Sequence, residues 1–204
     1  MKKPKSAKAK NKVIIGLTGS FASGKTTVSS CFRKLGAQII DADKIAHNAI
    51  KRGSGVYNKI VRGFGAGILS PAGSIDRSKL GEAVFNEKRL LNKLNRLVHP
   101  EVIRRVKQLV KFSNKQCLVI DAPLLIETGL NKYCDVMVVV KVSRKKQIER
   151  AQKKSGLSGN DCLKRIRSQI SVSRKVRLAD FVIDNNGSLE ETEEQVRKIW
   201  KKII

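Results

Sequence analysis

Two periods of apolar residues alternate along the 204-residue chain. "KVIIGLT", "AQII", "CLVID", "DVMVVV" and "FVID" are short runs rich in β-branched residues and closed by glycine or a polar residue, which is the pattern of buried strands. Between the first two the period lengthens. Val28, Cys31, Phe32 and Leu35 recur at i, i+3, i+4 and i+7, one apolar face of a helix, and Gly36 supplies a stop signal. Residues 44 to 115 read as mainly helical, with "KRLLNKLNRLV" and "EVIRRVKQLV" as two helices split by Pro100 and "FGAGILSPAGSIDR" as a glycine-rich loop. "SLEETEEQVRKIWKKII" reads as a last helix. Ser188 and Glu191 form a capping box, acids open the helix and lysines close it, in agreement with its dipole. Strands without a polar alternation are covered on both faces, so the pattern predicts an α/β fold: a parallel five-stranded sheet flanked by helices.

Composition narrows the classes. At 41% hydrophobic residues the chain can bury a core, and its net charge of +26 favours anionic partners without saying which. Residues 1–11 are basic and polar and read as a flexible tail ahead of a domain over 12–204. Neither a membrane-length apolar run nor a secretory signal pattern is expected. The four cysteines, Cys31, Cys117, Cys134 and Cys162, are scattered without a C-x-x-C pair, which argues against zinc and fits a reducing cytoplasm.

One stretch carries chemistry. "GSFASGKTT" leaves the first strand and enters the first helix, and Gly19-x-x-x-x-Gly24-Lys25-Thr26 has the spacing of a phosphate-binding loop. Glycines let successive backbone N–H groups turn toward anionic oxygens, and the helix N-terminus adds positive potential. Lys25 is a point charge for β- and γ-phosphates, and the Thr26 hydroxyl suits Mg²⁺. Asp121 closes "CLVID" at the carboxyl edge of the sheet, where ligands sit in open α/β folds, and is a further candidate for Mg²⁺. Asp41 and Asp43 close the second strand at the same edge. A carboxylate there would take a hydroxyl proton during phosphoryl transfer, and the bland alternative for Asp43 is a helix cap.

The segments "GLTGSFASGKTTV", "IIDADKIAH", "IDRSKLGEAVF", "VHPEV", "DAPLLIETGL" and "ADFVIDNNG", in this order, resemble the dephospho-coenzyme A kinase family over roughly residues 13 to 200. The resemblance implies a P-loop kinase core with a helical acceptor-binding domain at 44–115 and a lid at 143–175. It also implies transfer of the ATP γ-phosphate to the ribose 3′-hydroxyl of dephospho-CoA. By resemblance, Gly19, Ala22, Ser23, Gly24, Lys25, Thr26 and Thr27 hold ATP and Asn185 lies by the adenine. Asp43 is the general base. Arg77, His99, Pro123, Leu124, Leu125 and Glu127 shape the acceptor site. Lys25, Arg150 and Lys154 act on the transferring phosphate.

Two departures from the family pattern stand out. Ser20 and Phe21 replace a glycine and an isoleucine in the loop, and Lys154 stands where a second lid arginine is usual. Lysine cannot make the planar two-pronged contact of arginine. The lid expectation also has a compositional basis: residues 141–177 hold 13 Lys or Arg against 2 acids. A basic flap closing on triphosphate has this composition, and so has a solvated helix. Two other functions stay open on the residues alone: a P-loop kinase for another small hydroxyl substrate, and an NTP-dependent nucleic-acid-binding protein. Aromatics at 4% leave few stacking platforms for the latter.

Overall fold

The computed structural model describes residues 12–85, 87–156 and 158–204. The basic tail at residues 1–11 lies outside the described residues. Contacts divide the chain into two compact units, one of residues up to Asp41 and from Ser113 onward, the other Ala42–Phe112.

The first unit is built on β1 (Val13–Gly19) and α1 (Lys25–Lys34), followed by β2 (Gln38–Asp41). The second unit then intervenes, with α2 (Ala42–Ala49), α3 (Gly55–Phe64), α4 (Arg77–Phe85) and α5 (Lys88–Phe112). The chain returns to the sheet with β3 (Cys117–Asp121) and β4 (Val136–Lys141). Three basic helices follow, α6 (Arg144–Ser155), α7 (Gly159–Arg167) and α8 (Val172–Arg177). β5 (Phe181–Asp184) and α9 (Leu189–Ile203) complete the unit.

All four strand pairings are parallel, and the strand order is β2-β3-β1-β4-β5. The chain moves from β1 out to β2 on one side and later crosses to β4 on the other. The order therefore reverses at the carboxyl end of β1, the place where such sheets bind ligands. The β1 burial pattern is almost continuous, as the unbroken apolar run requires of a central strand. Ile15, Leu17, Val119, Val138 and Val140 meet Val28 and Phe32 of α1 and Val196 and Ile199 of α9 in one core. This core fixes α1 against the sheet, and with it the loop at its start.

The second unit has its own core. Val56 and Ile60 of α3, Ile68, and Leu80 and Val84 of α4 pack with Leu90, Leu91, Leu94, Leu97 and Val98 of α5. The glycine-rich loop contributes to it: Leu69 and Ile75 bridge antiparallel, and Ile68 is buried. The expected break at Pro100 is absent, for α5 runs through it unbroken from Lys88 to Phe112. Proline there removes one N–H and pushes off the carbonyl four residues back, that of Arg96. Pro100 and Arg96 are both exposed, so the proline sits on the solvent side of the helix, where a missing backbone hydrogen bond is least costly. The apolar stripe that continues past the proline to the buried Val102 and Val106 holds the two halves in one helix.

Candidate active site

The loop between β1 and α1 has the shape its sequence demands. A side chain at Gly19 would strike Ser23 Oγ at 2.5 Å and the Val140 carbonyl at 2.6 Å, so the loop crosses β4 too closely for any Cβ. Gly24 has φ +91°, left-handed, and a Cβ there would run into the Asn185 amide. Ala22 also turns left-handed, at φ 56°. Ser23 N–H donates to the Ser20 carbonyl at 3.1 Å and closes the turn.

Gly24 is the N-cap of α1. No side chain caps this helix, and no acidic residue stands in its first turn. Its first N–H groups and dipole are therefore left for an external anion. Lys25 opens the helix half-exposed, the Thr26 side chain is exposed, and Thr27 follows half-buried. The Ser23 side chain is fully buried, and its Oγ has no hydrogen-bond partner.

Side chains from distant parts of the sequence hold this loop. The Asn185 Nδ2 donates to the Ser23 carbonyl at 2.8 Å, and the Thr192 hydroxyl donates to Asn185 Oδ1 at 2.9 Å, which fixes the amide's orientation. Asn185, expected near an adenine, thus braces the loop with its side chain. Arg150 Nη2 donates to the Asn185 carbonyl at 3.1 Å, which places this guanidinium by Gly24. The loop tip is gripped from the basic helices. Gln147 of α6 donates to Ser20 Oγ at 2.6 Å and to the Phe21 carbonyl. Gln169 Oε1 accepts from Phe21 N–H at 3.0 Å, and the Arg165 guanidinium lies 5.5 Å from the centre of the Phe21 ring. Ser20 and Phe21 are thus held by α6, α7 and the turn that follows α7.

At the same sheet edge, Asp41 and Asp121 stand opposite each other on β2 and β3. Asp43 does not end the strand: it is in the first turn of α2 and exposed, because helix begins at Ala42 directly after β2. An acid in the first turn also complements the helix dipole. The Pro123–Glu127 segment follows β3. Leu125 is fully buried and packs over Gly16 of β1, so its side chain belongs to the core, whereas Pro123 and Leu124 are half-buried. In the second unit, Arg77 opens α4 and is exposed, after Asp76, whose carboxylate accepts from the N–H groups of Ser78 and Lys79 at 2.9 and 3.2 Å. His99 lies half-buried on α5. Lys154 falls in α6, and its side chain lies outside the described residues.

Reading the sequence missed three residues. Gln147 belongs to an uncharged pair with Ala151, four apart on a helix otherwise crowded with charge, and both are buried. Gln169 carried no periodic signal at all. Lys175, counted with the basic residues of an exposed flap, is fully buried. Its Nζ reaches the Pro123 carbonyl and lies 3.7 Å from Glu127 Oε1. Burial pushes its ammonium below the ordinary lysine range. Glu127 draws it back, and the nearby charge of Lys25 opposes it again.

The four cysteines are free thiols, and burial pushes that of Cys117 up to about 11, which makes it unreactive. No described helix is long and apolar enough to cross a membrane.

Known proteins agree with this architecture. Residues 13–191 match the model of the dephospho-CoA kinase family. A dephospho-CoA kinase of Carboxydothermus hydrogenoformans is 43% identical over 192 residues, 93% of each chain. That of Aquifex aeolicus is 40% identical over 190 residues, 93% of this chain and 96% of the other. A solved dephospho-CoA kinase from Campylobacter jejuni, 29% identical, superposes with a TM-score of 0.67 over 93% of this chain and 96% of its own. A shikimate kinase from Bacteroides thetaiotaomicron shares the fold alone, at 15% identity and a TM-score of 0.54 over 94% and 98% of the two chains. On sequence and on structure, the chain belongs to the dephospho-CoA kinase family.

Proposed function

We propose that this protein transfers the γ-phosphate of ATP to the ribose 3′-hydroxyl of dephospho-CoA, releasing CoA and ADP, the last step of CoA biosynthesis. The observation that carries the reading is the uncapped start of α1 at the strand-order reversal, with Lys25 beside it and no acid in its first turn. Phosphoryl transfer needs positioning and charge neutralisation more than covalent help, and this loop supplies both. Gly19 and residues 22–27 hold the phosphates. Lys25 neutralises charge on the β- and γ-oxygens, and Arg150, held by Asn185, adds a forked donor on the same side of the loop. Lys154 supplies a second lid cation. Asp43 takes the proton of the acceptor hydroxyl, while Arg77, His99 and the Pro123–Glu127 segment bind the acceptor.

Mg²⁺ fits the oxygens present. Among the described residues no group of three His, Cys, Asp or Glu could hold a metal. The Thr26 hydroxyl is exposed and the Asp121 carboxylate half-buried. An ion held by one or two protein oxygens and by substrate phosphates is the usual mode for Mg²⁺. When bound, it screens charge between β- and γ-phosphate.

The test is release of ADP with dephospho-CoA as acceptor, against adenosine and shikimate as controls. Turnover is expected only with the first. With the same assay, Asp43→Asn should leave ATP affinity intact and lower turnover by about 10²-fold or more, the usual worth of a general base. Lost affinity with normal saturated turnover would instead make Asp43 a nucleotide or metal ligand.

A further inference from the structure

A lysine buried to 0% exposure is costly, and Lys175 of α8 is such a residue. An ammonium has three N–H donors, and three acceptors surround this one. They are the Gly19 carbonyl at 3.5 Å, the Pro123 carbonyl, and Glu127 Oε1 at 3.7 Å. The first opens the phosphate loop, and the other two bound the segment after β3. The Pro123 carbonyl also takes the Thr18 hydroxyl at 3.1 Å, and Glu127 Oε1 takes the Ile170 N–H at 2.9 Å. One ammonium thus ties the end of β1, the Pro123–Glu127 segment and the turn between α7 and α8.

Stability alone does not account for it. An apolar side chain of the same length would fill the space, and a buried ion pair is often no more stabilising than such an isostere. The state of Glu127 points elsewhere. Its Oε1 is held by Lys175 and Ile170, while its Oε2 is buried and makes no hydrogen bond. With Oε2 unpaired, the placement of Glu127 depends on the contacts of Oε1 with Lys175 and the Ile170 N–H. The carboxylate cannot rotate to satisfy Oε2 without releasing Oε1 from both of its partners.

We propose that Lys175 is a positioning residue for the acceptor substrate. Through the Pro123 carbonyl and Glu127 Oε1 it fixes the segment proposed to bind the acceptor, and its contact with the Gly19 carbonyl keeps that segment in register with the phosphate loop. The inference rests on the proposed reaction and deepens it. Catalysis is sensitive to such register, because a displacement of about 1 Å in a bound group costs roughly 10²-fold.

The experiment compares wild type, Lys175→Met, Glu127→Gln and the double variant, each checked for folding by thermal melting. Steady-state constants are measured separately for ATP and for dephospho-CoA. In Lys175→Met, kcat/KM for dephospho-CoA should fall at least tenfold, with KM for ATP and affinity for ADP within about threefold of wild type. If Lys175 acts through Glu127, the double variant should match the worse single variant within about threefold. The double variant also leaves no unpaired buried carboxylate, so it reads the coupling against Glu127→Gln even where Lys175→Met alone does not fold. A lower melting temperature with both substrates' constants unchanged would reduce Lys175 to a structural residue and overturn the proposal. Losses that multiply in the double variant would overturn it too. A wild type active on dephospho-CoA with an equally active Lys175→Met sinks this inference alone. A wild type inactive on dephospho-CoA sinks the reaction and the inference together.

Discussion

Helices α1 and α9 both follow a strand of the same sheet and both pack on the same core, yet they begin in opposite ways. α9 has a full capping box, Ser188 with Glu191, and a second acid, Glu190, in its first turn. Its start thus has both a side-chain cap and charge matched to the helix dipole. α1 starts at a left-handed glycine with no side-chain cap, no acid, and a lysine at its first position. Its own stability would be better served by the α9 arrangement. The difference teaches that the α1 start is kept open for a ligand that will cap it, and that the core has to hold that helix without help from its terminus. The two starts are also joined. Thr192, in the first turns of α9, orients the Asn185 amide that holds the Ser23 carbonyl. The finished helix start braces the unfinished one.

The comparison can be broken hardest at Lys25. Lys25→Ala should fold, since the side chain is half-exposed at a helix start, and should lose about 10²–10³-fold or more in turnover. A folded variant that keeps most of its turnover would mean that the open start receives no phosphate. A milder test makes α1 resemble α9. Thr27 occupies the position in α1 that Glu191 occupies in α9, three residues past the N-cap. Thr27→Glu should lower nucleotide affinity by about 10–30-fold, the equivalent of up to ~2 kcal/mol of charge at a helix terminus, while the melting temperature holds or rises. Affinity unchanged in a titration with ADP would mean that anions do not use this terminus.

Thr192→Val tests the link between the two starts. It keeps the shape and removes the hydroxyl that orients Asn185, so nucleotide affinity should weaken a few-fold, about one hydrogen bond's worth, together with a small loss of stability. Loss of stability with affinity untouched would confine Thr192 to packing. The smallest effect belongs to Ser188→Ala. It removes the α9 cap, costs about 1 kcal/mol of stability and lowers the melting temperature by about 2–4 °C, with turnover equal to wild type. A turnover defect there would show that the finished start has a direct part in the chemistry.

The elements were legible because periodicity and end signals are local. The five apolar runs became five parallel strands, the first apolar stripe became α1, and the Ser188–Glu191 pair became a capping box. The phosphate loop was legible for the same reason: Gly19, Gly24 and Lys25 are needed by a turn within a single stretch of chain. Sequence by itself also carried the family, through motifs spread over nearly the whole chain.

What lay beyond it was decided by neighbours far apart in sequence. Pro100 looked like a break because its local cost is real, but its place on the exposed side of α5 and a continuous apolar stripe let the helix pass. Asp43 looked like a strand end, yet the helix began one residue earlier. Lys175 looked like one more surface lysine, because charge in a sequence carries no sign of burial until its partners are known, and those partners are Gly19, Pro123 and Glu127. The same holds for Gln147, Gln169 and Asn185, polar side chains whose hydrogen bonds to the phosphate loop cross more than a hundred residues. Periodicity reports which face of an element is buried. Only the tertiary structure decides which polar group meets which across the fold, because that depends on the placement of several elements at once.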